Sequence, residues 1–281
     1  RSTLVRSSAA SDVYKRQLLE IRNLCKSFGG LQAINNVSLS VKENTVHGLI
    51  GPNGSGKSTF FNLISGVYQP DKGSLIEFNK VDITHKPAHF IAEQGLARTF
   101  QLLRLYGELS VLQNVIVGYH PHTKYGLLAP LFMGAEVRRQ DKLVKAEMME
   151  LLEFIGLAEH AEIPAAELSG GQRRLLALGR AIAMRPKMLL LDEPGAGLSP
   201  VNVDNLMATI MTLKARYNLT IIVVEHILKV VMSTCETISV LDNGHKISEG
   251  NPDFVKNDPA VIEAYLGKEM ADDDIRLAMN S

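Results

Sequence analysis

Apolar positions along this chain keep two rhythms. Short runs, some continuous and some alternating, read as strands at Leu18–Leu24, Val37–Val41, Val46–Ile50, Leu75–Phe78, Leu96–Gln101, Met188–Leu191, Thr220–Val224, Thr237–Leu241 and His245–Ser248. Elsewhere the apolar residues recur at helical spacing. In Val137–Ile155, Val144, Met148, Leu151, Leu152 and Ile155 share one side, while Arg138, Arg139, Asp141, Lys142, Lys145, Glu147 and Glu150 form a solvated face. Gly156 is a natural C-cap for it. Further helices are expected at Phe60–Ser65, from Val111, at Arg173–Met184, Leu206–Ala215, Ile227–Thr234 and Asp253–Leu266. Turn residues separate these elements at Lys26–Gly30, Gly66–Gly73, Pro194–Pro200 and Asp242-Asn243-Gly244, the last a hairpin signal. Arg185-Pro186 stops a helix, and Tyr119–Pro130 reads as an irregular loop.

Helices alternating with apolar strands predict an α/β fold with a parallel sheet. Ahead of it lies an antiparallel β portion. Gln101–Ala165 has few β-branched runs and reads as a helical subdomain inserted into the core. Arg1–Gln17 is polar and aperiodic, does not begin with Met, and resembles translated cloning or adaptor sequence. The charged stretch Gly267–Ser281 has no predicted place.

Composition narrows the classes. The 281 residues are enough for a full core, and 46% hydrophobic with 21% charged is ordinary for a globular protein. Thirty basic residues balance thirty acidic ones, which argues against a nucleic-acid partner. Cys25 and Cys235 lack metal-ligand spacing and read as small buried hydrophobes of a cytosolic chain. No apolar run is long enough to cross a membrane, so a role in transport requires other chains to supply the membrane part.

The candidate chemistry begins at Gly51–Thr59, GPNGSGKST, which fits the phosphate-loop pattern at Gly51, Gly56, Lys57 and Ser58. A strand, this loop and a helix would aim backbone N–H groups and a positive helix end at one phosphate. Lys57 would reach the β- and γ-phosphates, and the Ser58 hydroxyl would meet Mg²⁺. Phe28, just ahead of the loop, is either ordinary core or a stacking platform for a base. Gln101, at a strand end, could offer its amide oxygen to Mg²⁺ or to the attacking water. In Leu168–Gln172, LSGGQ, Ser169 is a good N-cap; with the bare N–H groups of Gly170 and Gly171 it makes a second anion site. The apolar run Met188–Leu191 delivers Asp192, a metal-binding acid, and Glu193, a base for water. Two exposed acids ending a strand are the bland alternative. His226, after Thr220–Val224, could contact a γ-phosphate or could be an ordinary surface residue.

The order of these motifs resembles the ATP-binding subunit of an ABC transporter over about Leu18–Gly267. Within that family, LARTFQLLRLYGELSVLQNVIVG, DEPGAGLSP, EHILKVVM and AYLG are similar to the LivG-type ATPases for branched-chain amino acid uptake. Related urea- and amide-uptake ATPases share much of the pattern. The resemblance implies a RecA-like P-loop ATPase core with an N-terminal antiparallel β subdomain and a helical subdomain at about 102–165. It implies ATP and Mg²⁺ as cofactors and assigns adenine stacking to Phe28. Gly51, Pro52, Asn53, Gly54, Ser55, Gly56, Lys57, Ser58 and Thr59 would bind phosphates; Ser58, Gln101 and Asp192 would serve the metal. Glu193 would be the base and His226 the γ-phosphate sensor. Ser169, Gly170, Gly171 and Gln172 would act on ATP held by an opposite subunit, either an identical chain or a second ATPase. Membrane permease subunits and, indirectly, a substrate-binding protein would be partners, with the chain peripheral on the cytoplasmic membrane face. Ser199-Pro200 stands where the wider superfamily usually carries an Asp. Non-transport ABC ATPases and P-loop kinases are the competing classes. The former need long coiled coils or tandem domains, and the latter lack LSGGQ.

Overall fold

The computed structural model describes residues 16–99, 105–119 and 134–266. The described residues form two compact bodies, one from those within 1–94 and 213–281, the other from those within 95–212.

In the first body, β1 (Gln17–Phe28) pairs antiparallel with β2 (Leu31–Lys42) and with β4 (Leu75–Phe78), which in turn pairs with β5 (Val81–Asp82). The expected antiparallel portion is therefore present. Leu19, Ile21, Leu24, Val37, Leu39, Ile76 and Phe78 bury its inner face. One boundary differs from expectation. Lys26–Phe28 is strand, not turn, because Gly29, at φ 56°, reverses the chain within two residues and leaves Phe28 opposite Leu31.

The same body holds a second sheet. β3 (Val46–Ile50) lies parallel to β8 (Thr220–Val224) on one side and to β9 (Thr237–Asp242) on the other, and β10 (His245–Gly250) runs antiparallel beyond β9. Every residue of β3 and β8 is buried, as the continuous apolar runs of a covered parallel sheet require. Asn243 and Gly244 take φ 46° and 80°, the mirror-image turn expected of Asn-Gly. The helices here are α1 (Lys57–Ile64), α2 (Ala88–Glu93), α7 (Leu228–Thr234), α8 (Pro252–Lys256) and α9 (Pro259–Leu266). α8 and α9 occupy the stretch expected to be mainly helical. Asn257 and Asp258 interrupt it: Pro259 cannot donate to the preceding turn, and the Asp258 carboxylate accepts the Ala260 N–H at 3.0 Å.

In the second body, β6 (Leu96–Thr99) lies parallel to β7 (Met188–Asp192). Its helices are α3 (Val111–Tyr119), α4 (Gly134–Phe154), α5 (Gly170–Ala183) and α6 (Pro200–Tyr217), α6 being the helix in which the division between the bodies falls. α4 buries Met148, Leu151 and Leu152 as its periodicity predicts, and Gly156 follows it at φ 73°. A methyl group at Gly118 of α3 would lie 2.2 Å from the Arg180 carbonyl oxygen of α5, so these helices cross through a glycine contact. α6 begins at Pro200, ahead of the expected Leu206, because proline suits the first helical turn. Of the cysteines, Cys235 is buried, which pushes its thiol up to about 12. Cys25 is only half-buried and falls at the register shift of β1 against β2 between Leu24 and Lys26; its sulfur accepts the Asn36 N–H at 3.2 Å.

Candidate nucleotide site

In the first body the phosphate loop runs from the end of β3 into α1. Gly51 has φ 150° and Gly56 φ 106°. A methyl group would sit 2.0 Å from the Leu241 carbonyl oxygen at the first and 2.7 Å from the Ala33 oxygen at the second. Both positions therefore demand glycine. Gly244 fastens the loop from the neighbouring hairpin, donating its N–H to the Ser55 carbonyl at 3.0 Å. The Lys57 ammonium is buried and donates to the Gly51 and Pro52 carbonyls at 2.8 and 2.9 Å. Ser58, Asn53 and Gly54 are exposed, and Thr59 is half-exposed. Pro52 and Ser55 are buried, and the Ser55 N–H closes the loop on the Pro52 carbonyl at 3.1 Å. Gly56 caps α1 without a side chain, the arrangement in which an anion completes the first turn.

Phe28 stands at the open end of β1 and is 41% exposed. Its ring meets Tyr68 edge-on at 5.2 Å, with the Lys26 ammonium 5.2 Å from its centroid. His226 is exposed after β8, and its N–H donates to the buried Glu225 carboxylate at 3.2 Å. His47, inside β3, contacts the Ser239 hydroxyl at 2.9 Å, and burial lowers its pKa from 6.5 to about 4.

In the second body β7 ends at Asp192, whose carboxylate accepts from the Arg98 guanidinium of β6 at 2.7 Å, with both side chains buried. Sequence reasoning missed this pair. A signal was present: a charge inside a short apolar strand requires a buried partner. Glu193 follows at φ 48°, a sparsely populated conformation for a residue with a side chain. Its carbonyl accepts the Ala196 N–H at 3.1 Å, and Arg174 of α5 holds the Ala196 carbonyl, which fixes the loop after Glu193. Beside the two acids is a cavity of about 40 Å³ lined by Thr99, Arg174, Leu191, Asp192, Glu193 and Pro194 among others, roomy enough for water.

The LSGGQ stretch is the entrance to α5. Ser169 accepts the Gln172 N–H at 3.3 Å, and Gln172 returns its side-chain oxygen to the Ser169 N–H at 2.9 Å. The Gln172 amide nitrogen also lies 3.0 Å from His160 Nε2. Thus Ser169 is the expected N-cap, while Gln172 is held within its own chain. Gln101 lies outside the described residues. Among the described residues no cluster of three or more His, Cys, Asp or Glu side chains could hold a metal by itself, and no helix is long and apolar enough to cross a membrane.

A phosphate loop, an apolar strand ending in Asp-Glu and a capped LSGGQ helix together define an ATPase of the ATP-binding cassette class. A family model described as ABC transporter matches residues 34–196, and one described as branched-chain amino acid ATP-binding cassette transporter matches residues 245–271. The chain is 41% identical over 253 residues to the high-affinity branched-chain amino acid transport ATP-binding protein BraF of Pseudomonas aeruginosa, covering 90% of this chain and 99% of the relative. LivG of Escherichia coli is 38% identical over 89% of this chain and 98% of its own length. A crystal structure of the ADP conformation of an ATP-binding cassette of an ABC transporter matches with a TM-score of 0.77 at 34% identity, covering 90% of this chain and all of that one. A dimeric cassette in a post-hydrolysis state bound to ADP and phosphate matches at 0.67 and 25% identity, covering 83% of this chain and 98% of that one. The chain belongs to the ABC transporter family of ATP-binding proteins, in its branched-chain amino acid group.

Proposed function

We propose that this chain hydrolyses ATP to power uptake of branched-chain amino acids, working as a pair of ATPase subunits on the cytoplasmic face of membrane permeases served by a binding protein. The observation that carries the paired reading is the openness of Gly170 and Gly171. A methyl group at either would meet nothing within 4 Å, so nothing among the described residues requires glycine there. Close approach of a ligand held by another subunit does. The solute follows from what the relatives are named for.

ATP phosphates rest on the Gly51–Thr59 backbone, Phe28 stacks on adenine, and the Lys57 ammonium exchanges the loop carbonyls for phosphate oxygens. Ser58, Gln101 and Asp192 offer hard oxygen donors, which suit Mg²⁺. Arg98 engages one Asp192 oxygen and so holds in place a carboxylate that would help to bind the metal. Mg²⁺ when bound neutralises charge on the β- and γ-phosphates. Glu193 takes a proton from water as its oxygen bonds to the γ-phosphorus, the bond to the β-phosphate oxygen breaks, and ADP and phosphate result. His226 contacts the γ-phosphate. Ser169, Gly170 and Gly171 close on it from the opposite subunit.

Glu193→Gln removes the base and keeps the shape. Turnover is expected to fall roughly a hundredfold or more while ATP binding persists. Light scattering should then show an ATP-dependent dimer, of identical chains or with a second ATPase, that Ser169→Arg dissolves. Wild-type turnover would remove Glu193 from the base role, and the absence of any dimer with either partner would remove the paired reading. For the solute, vesicles carrying this chain with its membrane subunits should accumulate labelled leucine only with ATP. Accumulation of urea instead would overturn that assignment.

A further inference from the structure

Two stretches of the chain meet at Phe28. After α1 ends, Val67 and Tyr68 donate their N–H groups to the Asn62 carbonyl at 2.9 and 3.0 Å, so the segment that follows is fastened to the helix that begins at the phosphate loop. The end of β1 joins that segment by two hydrogen bonds. The Asp71 N–H donates to the Cys25 carbonyl at 2.9 Å, and the Ser27 N–H donates to the Asp71 carboxylate at 2.8 Å. Lys26 adds a third tie: its ammonium donates to the Gln69 carbonyl at 2.8 Å and lies 3.7 Å from the Asp71 carboxylate. From there it stands over the Phe28 ring at 5.2 Å, while Tyr68 meets the ring edge-on. The Lys26 side chain is only 18% exposed, a degree of burial that lysine tolerates when it is paired, as here. One face and one edge of Phe28 are thus occupied from within the chain, and the residue still keeps 41% of its surface open.

We propose, resting on the stacking role given to Phe28 above, that Lys26 is a positioning residue for nucleotide binding, which holds the Phe28 ring so that its open face receives the base. Two hydrogen bonds already hold the strand end, so the ammonium is not needed for the course of the backbone. What it settles is the ring. An exposed aromatic side chain loses rotamer freedom when a base stacks on it, and a cation that restrains the ring beforehand reduces that loss. Because the ammonium is bound to the Gln69 carbonyl, in the segment that follows α1, it also sets the ring relative to the helix that carries the phosphate loop. Base and phosphates belong to one ligand, so platform and cradle have to keep a fixed separation. Lys26 thereby serves affinity for the base, and neither the phosphate contacts nor the chemical step.

The test is displacement of a fluorescent ADP from the full chain by ADP and by inorganic pyrophosphate, which lacks the base. Lys26→Met keeps the stem and removes the cation. It should weaken ADP about three- to tenfold, the scale of a partly desolvated cation–π contact, and leave pyrophosphate within about twofold. Lys26→Arg, which keeps a cation over the ring, should bind ADP nearly as the unchanged chain does. Phe28→Ala should weaken ADP at least as much as Lys26→Met. Adding Lys26→Met to it should cause no further loss, because a residue that acts through the ring then has nothing to act on. If Lys26→Met weakens ADP and pyrophosphate alike, the lysine supports the site as a whole, which overturns the proposal. A further loss in the Phe28→Ala background would overturn it too, since Lys26 would then act without the ring. So would unchanged ADP affinity in Lys26→Met beside a weakened Phe28→Ala, and in that case stacking on Phe28 survives. Unchanged ADP affinity in Phe28→Ala is the separate failure: it removes the stacking role itself, and the role of Lys26 falls with it.

Discussion

A methyl group on Gly51 or Gly56 would collide with backbone oxygens of the same chain, whereas one on Gly170 or Gly171 would reach open space. Both stretches are glycine-bearing entrances to helices, α1 and α5, and both suit an anion. They differ in what enforces the glycine. In the phosphate loop, β2, β9 and the Asn243-Gly244 turn press against the backbone from within the chain, so the loop's own shape is fixed as folded. In LSGGQ the chain supplies a capped helix start and leaves the glycines unsupported. On the paired reading proposed above, the demand for small residues there would come from a partner docking on them. A site built by internal packing should fail when its packing is disturbed, and a site built for a partner should fail only when the partner is present.

Four changes probe that difference, from the largest expected effect to the smallest. Gly51→Ala should cost several kcal/mol and abolish ATP binding, since its methyl group would overlap the Leu241 carbonyl and its φ is strained for alanine; denaturant unfolding and nucleotide titration read both losses. Acid is next. His47 in β3 is neutral in the fold with a pKa lowered from 6.5 to about 4, through burial first, with Glu249 and Lys246 opposing each other. The unfolded chain therefore binds more protons in that window. Stability is full above pH 6.5 and is lost as pH falls towards 4, by roughly 3 kcal/mol from this group. Unfolding at stepped pH should show the slope, and His47→Gln should flatten it.

In the second body, Ser169→Ala removes a cap worth about 1 kcal/mol and should lower the melting temperature by a few degrees. Smallest is Gly171→Ala, expected to shift stability by less than about 0.5 kcal/mol, or even to favour the helix. It should nevertheless weaken ATP-dependent dimer formation by the Glu193→Gln protein. If Gly171→Ala unfolds the protein like Gly51→Ala, the contrast between the two sites collapses. If it leaves the dimer intact, LSGGQ is not a contact made through bare backbone.

The phosphate loop, the LSGGQ helix start, the Asn-Gly hairpin and the amphipathic α4 were all legible in the linear chain. Each depends on residues within a turn or two of one another: glycine's tolerance of positive φ, a serine's reach to the third N–H, a 3.6-residue period. Lys26–Phe28 was misread for a related reason. The Gly29-Gly30 pair announces a reversal, but how far the strands extend into it depends on cross-strand pairing with Leu31–Ile34. The break between α8 and α9 could have been read from Asp258-Pro259. The registration of Arg98 with Asp192 could not, since 94 residues separate them and only the parallel pairing of β6 with β7 sets their distance.

By itself, then, the sequence determined which short segments have the form of anion sites, which end in acids, and to which family the chain belongs, because those properties live in local backbone geometry and in side-chain chemistry. Tertiary structure decided why Gly51 must be glycine, that Asp192 is paired with a buried guanidinium, and that the hairpin at Gly244 fastens the phosphate loop. Those facts depend on sterics and desolvation at contacts between distant segments, and such contacts have no local signature for a sequence to carry.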